Sequence, residues 1–309
     1  MKDSKTVQFD ELGTEIFLKI IVEEDGLLEK ASYDLGRARK IISEKKDTFN
    51  RFNKNSELCR LNKSLFRPFR ASKDLLEVIR KSVRHNQESS GLFDPRIVGI
   101  LEEIGYREDF KRGQSNQANR YSTKPRKTFA QKYESDVKIE NSTITLKKRI
   151  DLGGMVKGWI ADQVATFLRK QGWKNFLVDL GGDMFAAGIS QHEQKWIIAV
   201  EGVSEKVMQL SVNNKGIATS GITRRSWIRS GKLFHHLVNP ERPNFFTESL
   251  LSVTVVNKNT ESADVWAKTL FLLGQERGVD FANRKNIACL FLPKSGRPTV
   301  SQAMQLFIN

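Results

Sequence analysis

The tetrapeptide Asp-Leu-Gly-Gly occurs twice in this chain, beginning at Asp151 and again at Asp179. A carboxylate followed by two glycines exposes bare backbone and admits turns that other residues avoid. After the first copy, apolar spacing predicts a helix from about Met155 to Gln171, with Ile160, Val164 and Phe167 on one stripe and Gly172 closing it. That copy therefore opens a helix, whose free N–H groups can seat phosphate oxygens, and Lys157 adds charge in the first turn. The second copy ends a short buried strand, "FLVDL". Their different contexts exclude a repeat unit. A helix of about 17 residues is roughly 25 Å long, and the strand returns about 16 Å, so both turns can approach one edge of the structure. The spacing matches no common phosphate motif: GxGxxG needs a glycine where Met155 stands, and a P-loop needs Ser or Thr after its lysine. On these residues alone, a phosphate seat and a structural strand–helix turn both remain open.

The elements that would position these turns follow from periodicity. "TEIFLKIIVEE" alternates as a strand, and helices are predicted at about Leu27–Thr48 and within "RASKDLLEVIRKSVRHNQESSG", where Ser72 is the N-cap. "GLFDPRIVGILEEIGY" reads as a turn at Asp94-Pro95 running into a short helix, and "STITLKKRIDL" as a strand. Further strands are predicted in "KWIIAV", "KVMQLSV", "LLSVTVV" and "NIACLFL". A hairpin turns at Ser230-Gly231, and a helix spans about Ser262–Leu273. Strands clustered between helices, with hairpins, predict an α+β fold in a single domain over 1–309.

Composition narrows the classes. With 39% hydrophobic and 28% charged residues, the 309-residue chain is globular rather than disordered. No run reaches the roughly 20 apolar residues of a membrane helix, and the start has no secretory h-region, so the expected location is cytoplasmic, or periplasmic if the N-terminus has been trimmed. Cys59 and Cys289 show no CxxC spacing and are read as free thiols, and His85, His192, His235 and His236 lack zinc-site spacing. The net charge of +15 favours anionic partners. Much of it lies in 107–133, read as a basic surface loop, either merely solvated or a patch for an acidic partner. A nucleic-acid role rests on charge alone, without a motif, and is not expected.

Further glycine-marked turns and polar clusters recur: "LGTEIFLKI", "FNRFNKNSELCRLN", "SGLFDP", "IATSG", "HHLVNPE" and "SADVWAKTLFLLG". In that order, with both DLGG stretches between "FDP" and "ATSG", the chain from about Leu12 to Gly274 resembles the ApbE family of FAD:protein FMN transferases. The resemblance implies an α+β fold with mixed or antiparallel sheets flanked by helices and an FAD groove between lobes. It also implies magnesium-assisted transfer of FMN from FAD to a Ser or Thr hydroxyl of a partner flavoprotein, with release of AMP. Because this is phosphoryl transfer, positioning and charge neutralisation should dominate.

The resemblance places Leu12, Phe52, Leu92, Phe93, Asp94, Asp151, Lys157, Thr219, Ser220 and His236 against the cofactor. Phe52 is alternatively a core aromatic. His236 is the candidate to take the proton of the acceptor hydroxyl, with His235 on the opposite face; a hairpin histidine with a satisfied ring is its other reading. Gly154, through its carbonyl, and Asp264, named also in the catalytic set, would hold the metal. Four departures stand out: Asn239 replaces an aspartate, Arg96 follows Asp94-Pro95 beside the cofactor, the usual lipoprotein signal is absent, and Lys268 occupies the position of a metal-binding threonine. Lys268 is therefore expected to pair with Asp264, one helical turn away, and to weaken or replace the metal. Two alternatives to the transferase are an FAD pyrophosphatase giving FMN and AMP, and a non-catalytic FAD-binding homologue.

Overall fold

The computed structural model describes residues 2–24, 26–107, 128–129, 131–203, 208–229 and 231–308. In chain order the elements begin with β1 (Asp3–Glu11), β2 (Thr14–Val22), α1 (Leu28–Phe49), α2 (Glu57–Lys63), β3 (Phe69–Arg70), α3 (Lys73–Glu88) and α4 (Val98–Glu103). There follow β4 (Val137–Glu140), β5 (Thr143–Leu146), α5 (Val156–Lys170), β6 (Phe176–Asp179), β7 (Asp183–Ala187), β8 (Trp196–Ala199), β9 (Gln209–Val212) and β10 (Lys215–Gly221). The hairpin β11 (Ser226–Arg229) and β12 (Lys232–His235) leads to β13 (Leu250–Asn257), α6 (Thr260–Leu273), α7 (Gln275–Lys285), β14 (Ala288–Pro293) and β15 (Thr299–Val300).

Eight strands form one antiparallel sheet in the order β1-β2-β6-β7-β10-β13-β14-β15. Alternation along each strand sends side chains to two faces. Ile16, Leu18 and Ile20 of β2 join Phe185 of β7 in a core shared with Leu35 of α1, Ile79 of α3 and Trp159 of α5. Farther along the sheet, Ala218 of β10 and Val253 and Val255 of β13 pack against Ala263, Ala267 and Leu270 of α6. The opposite face carries Ile21, Ala186, Ile217 and Val256, covered by Trp196 and Leu210 of the small β8–β9 ribbon and by Met304. Two further small sheets, β3-β5-β4 and β11-β12, complete an α+β architecture. No helix among the described residues is long and apolar enough to cross a membrane.

Most predicted elements form, with shifted ends. Ser72 accepts from Leu75 N at 3.2 Å and starts α3. α5 begins one residue after its predicted start, and Gly172 follows it at φ +92°. α6 begins at Thr260 rather than Ser262 because Asn259 caps it, accepting from Ser262 N at 3.0 Å. Eight elements went unpredicted: β1, α2, β3, β4, β7, β10, α7 and β15. Of the basic stretch 107–133, residues 108–127 and 130 lie outside the described residues, as does Ser230 of the predicted hairpin turn. Neither cysteine is in a disulfide, as expected; Cys289 is buried and Cys59 half-buried.

Candidate active site

The first Asp-Leu-Gly-Gly does open α5, and its neighbours fix it from three sides. Leu152 and Met155 are fully buried and anchor the turn. Asp151 turns back on itself, Oδ1 accepting from Gly153 N at 2.9 Å, while Asp151 N donates to Pro95 O at 2.8 Å and ties the turn to the Phe93-Asp94-Pro95 loop. On the outside, Arg51 Nε lies 3.3 Å from Asp151 Oδ2.

The second Asp-Leu-Gly-Gly is the hairpin between β6 and β7. Gly181 and Gly182 take φ +74° and +99°, a region glycine enters freely, and Asp179 Oδ1 accepts from Gly182 N at 2.7 Å. A methyl group at Gly181 would run into the Thr14 side chain, with Cβ at 2.7 Å, so the Leu12-Gly13 turn between β1 and β2 leans directly on this hairpin. Leu12 itself sits at φ +57° and packs on the core. The two copies meet: Asp183, directly after the second, forms an ion pair with Lys157 in the first turn of α5. Lys157 thus stands at the helix opening, with its charge already engaged by a carboxylate.

α6 brings the remaining groups. α5 and α6 approach so closely at Gly158 that a Cβ there would lie 2.6 Å from Thr260 O and 2.8 Å from Glu261 Cα. Asp162, one turn further, accepts from Thr260 N and Glu261 N at 2.8 and 2.9 Å and so caps α6 from outside. This contact presents Asp264 and Lys268 to the opening of α5. Asp264 is 6% exposed, and its Oδ2 is buried without a hydrogen-bond partner. Lys268 extends past it, and its Nζ abuts the bare Cα of Gly154, in the space a methyl group there would fill. Among the described residues Lys268 and Asp264 form no direct ion pair, contrary to expectation. The lysine stem is long enough to carry its ammonium beyond the short, buried carboxylate.

Electrostatics follow from this crowding. Burial raises the Asp264 pKa, the Asp183 charge raises it further, and Lys268 and Lys157 oppose the rise. Burial lowers the Lys268 pKa against the pull of Asp264 and Asp151. His236 Nδ1 donates to Arg225 O at 3.3 Å, which leaves Nε2 as the ring's acceptor. Burial, then Arg225 and Lys268, hold its pKa well below the ordinary value, so the ring is neutral near pH 7. His235, on the opposite side, is buried between Phe246 and Phe271 and meets Thr247 O through Nε2 at 3.2 Å.

Beside His236 lies an aromatic group. Tyr106 stands edge-on to His236 at 6.4 Å and to Phe52 at 5.7 Å, and is tilted against Trp227 at 6.0 Å. Arg51 joins this group to the helix opening, lying 4.1 Å over Phe52 and 4.5 Å over Tyr106 while holding Asp151. Phe52 therefore belongs to a satellite cluster with the β11–β12 hairpin, not to the main core.

The other expected residues divide. Leu92 and Phe93 are buried, and the Phe93 ring lies 6.0 Å from Lys268 Nζ. Asp94 and Arg96 are consumed by each other: Arg96 donates to both Asp94 oxygens and, through Nη1, to Asp136 at 2.6 Å. Arg96 is 6% exposed and braces the loop rather than facing a ligand. Thr219 and Ser220 point to opposite faces of β10; Ser220 shares the α6 face, whereas Thr219 bonds to Thr254 Oγ1 at 2.9 Å on the other. Asn239 closes its own turn, its Oδ1 accepting from Glu241 N and Arg242 N at 2.9 and 3.1 Å. Arg51, Tyr106, Trp227, Asp183 and Gly158 were not singled out from sequence. The acid following Gly181-Gly182 and the glycine within the "MVKGW" run were signals available for two of them.

Comparison with known proteins agrees with this architecture. The model of the ApbE family matches residues 12–291. A Vibrio cholerae protein named FAD:protein FMN transferase is 28% identical over 297 residues, covering 92% of this chain and 86% of its own length. A Haemophilus influenzae protein of the same name is 24% identical, covering 99% of this chain and 92% of its own length. The solved flavin transferase ApbE of Vibrio cholerae superposes with a TM-score of 0.81 at 23% identity, over 99% of this chain and 100% of its own. An ApbE protein of Thermotoga maritima does so with a TM-score of 0.82 at 18% identity, over 99% of each. At those identities the superpositions establish the fold, and the family match across nearly the whole length establishes the rest: this chain belongs to the ApbE family.

Proposed function

We propose that this protein is an FAD:protein FMN transferase. The observation that carries the reading is the meeting of the two Asp-Leu-Gly-Gly turns at the start of α5, with Lys157 and Lys268 on one side and an aromatic group around Tyr106 on the other. A dinucleotide has matching parts: a pyrophosphate for the glycine-lined helix opening and a flat ring for the aromatic side. In the transfer, the acceptor hydroxyl oxygen bonds to the flavin-side phosphorus as the bond from that phosphorus to the AMP oxygen breaks. The hydroxyl proton goes to a base, a role His236 fits because its ring is held neutral with Nε2 unprotonated. The two lysines and the helix N-terminus offset charge gathering on the transferring phosphate. The acceptor is a flavoprotein presenting Ser or Thr.

Magnesium, the metal expected for this chemistry, fits these residues poorly. Asp264 Oδ2 is a buried, unpartnered oxygen of the kind a cation would satisfy, but the ammonium of Lys268 already stands against Gly154, the other expected ligand.

The test incubates the full chain with FAD and a flavoprotein acceptor bearing a Ser or Thr target, with and without magnesium. Covalent flavin is read on the acceptor by in-gel fluorescence, and AMP by chromatography. Labelled acceptor with AMP is expected. AMP without label would replace transfer by FAD hydrolysis, and intact bound FAD would leave only a binding protein.

A further inference from the structure

We propose that the Lys268 ammonium acts as a tethered cation for the pyrophosphate of the bound dinucleotide, taking a magnesium ion's place and making its binding independent of metal. This rests on the FAD reading above. Six charged side chains ring the helix opening: Arg51, Lys157 and Lys268 against Asp151, Asp183 and Asp264. Two pairs are closed, Arg51 with Asp151 and Lys157 with Asp183. Lys268 and Asp264 are left, and among the described residues the ammonium makes neither an ion pair nor a hydrogen bond. It rests instead on Gly154, a residue with no side chain to hold it off, at the opening of α5, where Gly153 N is already taken by Asp151 and Met155 N and Val156 N by Leu152 O. A phosphate seated at this opening meets Lys268 as its cationic neighbour, and lysine binds phosphate as a compact point charge.

The same arrangement opposes a divalent ion. Asp264 Oδ2 is its natural ligand, being 94% buried by residue and unpartnered. Any ion placed there would have two ammonium groups close by, since Lys157 and Lys268 both act on Asp264 through space. The lysine escapes that conflict because it is the cation. With Lys268 engaged by phosphate, Asp264 sits behind it as a counter-charge rather than as a metal ligand.

The experiment measures FAD affinity by quenching of flavin fluorescence, in EDTA and in excess magnesium chloride, for the parent, Lys268→Ala and Lys268→Thr, with thermal melting as the check on folding. The parent should bind FAD equally in both buffers. Lys268→Ala should bind roughly 10- to 100-fold more weakly in both, the loss of one charged hydrogen bond. Lys268→Thr should be as weak in EDTA and recover in magnesium, because the hydroxyl returns an oxygen ligand beside Asp264. Parent affinity that collapses in EDTA overturns the proposal, as does a folded Lys268→Ala protein with parental affinity in EDTA. Absence of FAD binding by the folded parent in either buffer defeats the FAD reading itself, and the inference with it.

Discussion

Replacing Gly154 by alanine separates the ligand site from the fold. Gly154 is not held at positive φ, so the backbone accepts alanine, and the unfolded chain loses some freedom, which favours the variant slightly. The new methyl group would overlap Lys268 Nζ and lie 3.0 Å from Cε. To regain an ordinary contact near 3.5 Å, the ammonium must withdraw by about 2 Å. A lysine end is flexible, so this costs the fold little; the change in unfolding free energy should stay within about 0.5 kcal/mol. The ligand loses more. A charge-assisted contact of about 2.8 Å stretched by 2 Å is no longer a hydrogen bond, and the methyl group also crowds the approach to the α5 N–H groups. We expect FAD affinity to fall by about 1.5–3 kcal/mol, or roughly 10- to 150-fold. Urea unfolding and a fluorescence titration on the same preparation measure both quantities. A folded Gly154→Ala protein with unchanged FAD affinity would refute the phosphate seat, and a large loss of stability would refute the idea that only a flexible lysine end occupies that space.

Three other outcomes are expected. Gly158→Ala should cost about 1–3 kcal/mol of stability, because its methyl group meets the backbone of Thr260 and Glu261, which cannot rotate away; a parental urea midpoint would show that α5 and α6 part easily. His236→Ala should keep FAD affinity within a few-fold while flavin transfer drops by about 10²–10⁴-fold, the usual worth of a positioned base; near-parental turnover places the base elsewhere. His235→Phe should flatten part of the acid dependence of stability. The buried ring titrates at about 4 in the folded chain against about 6.5 unfolded, so between those values the unfolded chain binds the extra proton and parental stability falls as pH drops. The variant should therefore gain on the parent by up to about 3 kcal/mol between pH 7 and pH 4. Asp162, raised to about 6 by burial, shifts stability the other way over that window, but equally in both proteins. A pH-independent difference between them would refute the assignment.

The elements nearest the site were legible because each carries both a period and a stop. α5 has its apolar stripe and Gly172, and α3 has Ser72 and an amphipathic run. β1 has neither. Its nine residues hold two apolar side chains, Val7 and Phe9, among polar ones, as suits the half-exposed edge of a sheet. It is a strand because the Leu12-Gly13 turn folds it onto β2 over nine residue pairs, a tertiary fact that local composition does not contain. α7 was hidden by Gly278 in its middle, which reads as a breaker. That glycine is there because a Cβ would lie 2.6 Å from the Phe291 ring. Gly158 follows the same rule, whereas Gly36 in α1 and Gly99 in α4 meet nothing within 4 Å, so a glycine inside a helix does not by itself mark an end.

In the site, sequence reasoning placed the turns that backbone determines and missed the partners that side chains choose across the fold. Gly153 and Gly154 precede a helix with a clear apolar stripe, so the turn that opens α5 could be located from spacing. Lys157, by contrast, lies 26 residues from Asp183, and their pairing exists only after the β6–β7 hairpin has turned back onto α5. Arg51 was hidden for a related reason. Nothing in "FNRFNK" says that the arginine turns to Asp151, a hundred residues on, while its neighbour Phe52 joins the hairpin cluster. Lys268 shows the limit most sharply. An i,i+4 aspartate is its default partner, and a short, isolated helix would pair them. Here the α5–α6 contact at Gly158 buries Asp264 and opens a space over Gly154 within reach of the longer side chain. The choice between carboxylate and helix opening is made by packing at a third residue, so the sequence could name the substitution without revealing where its charge would go.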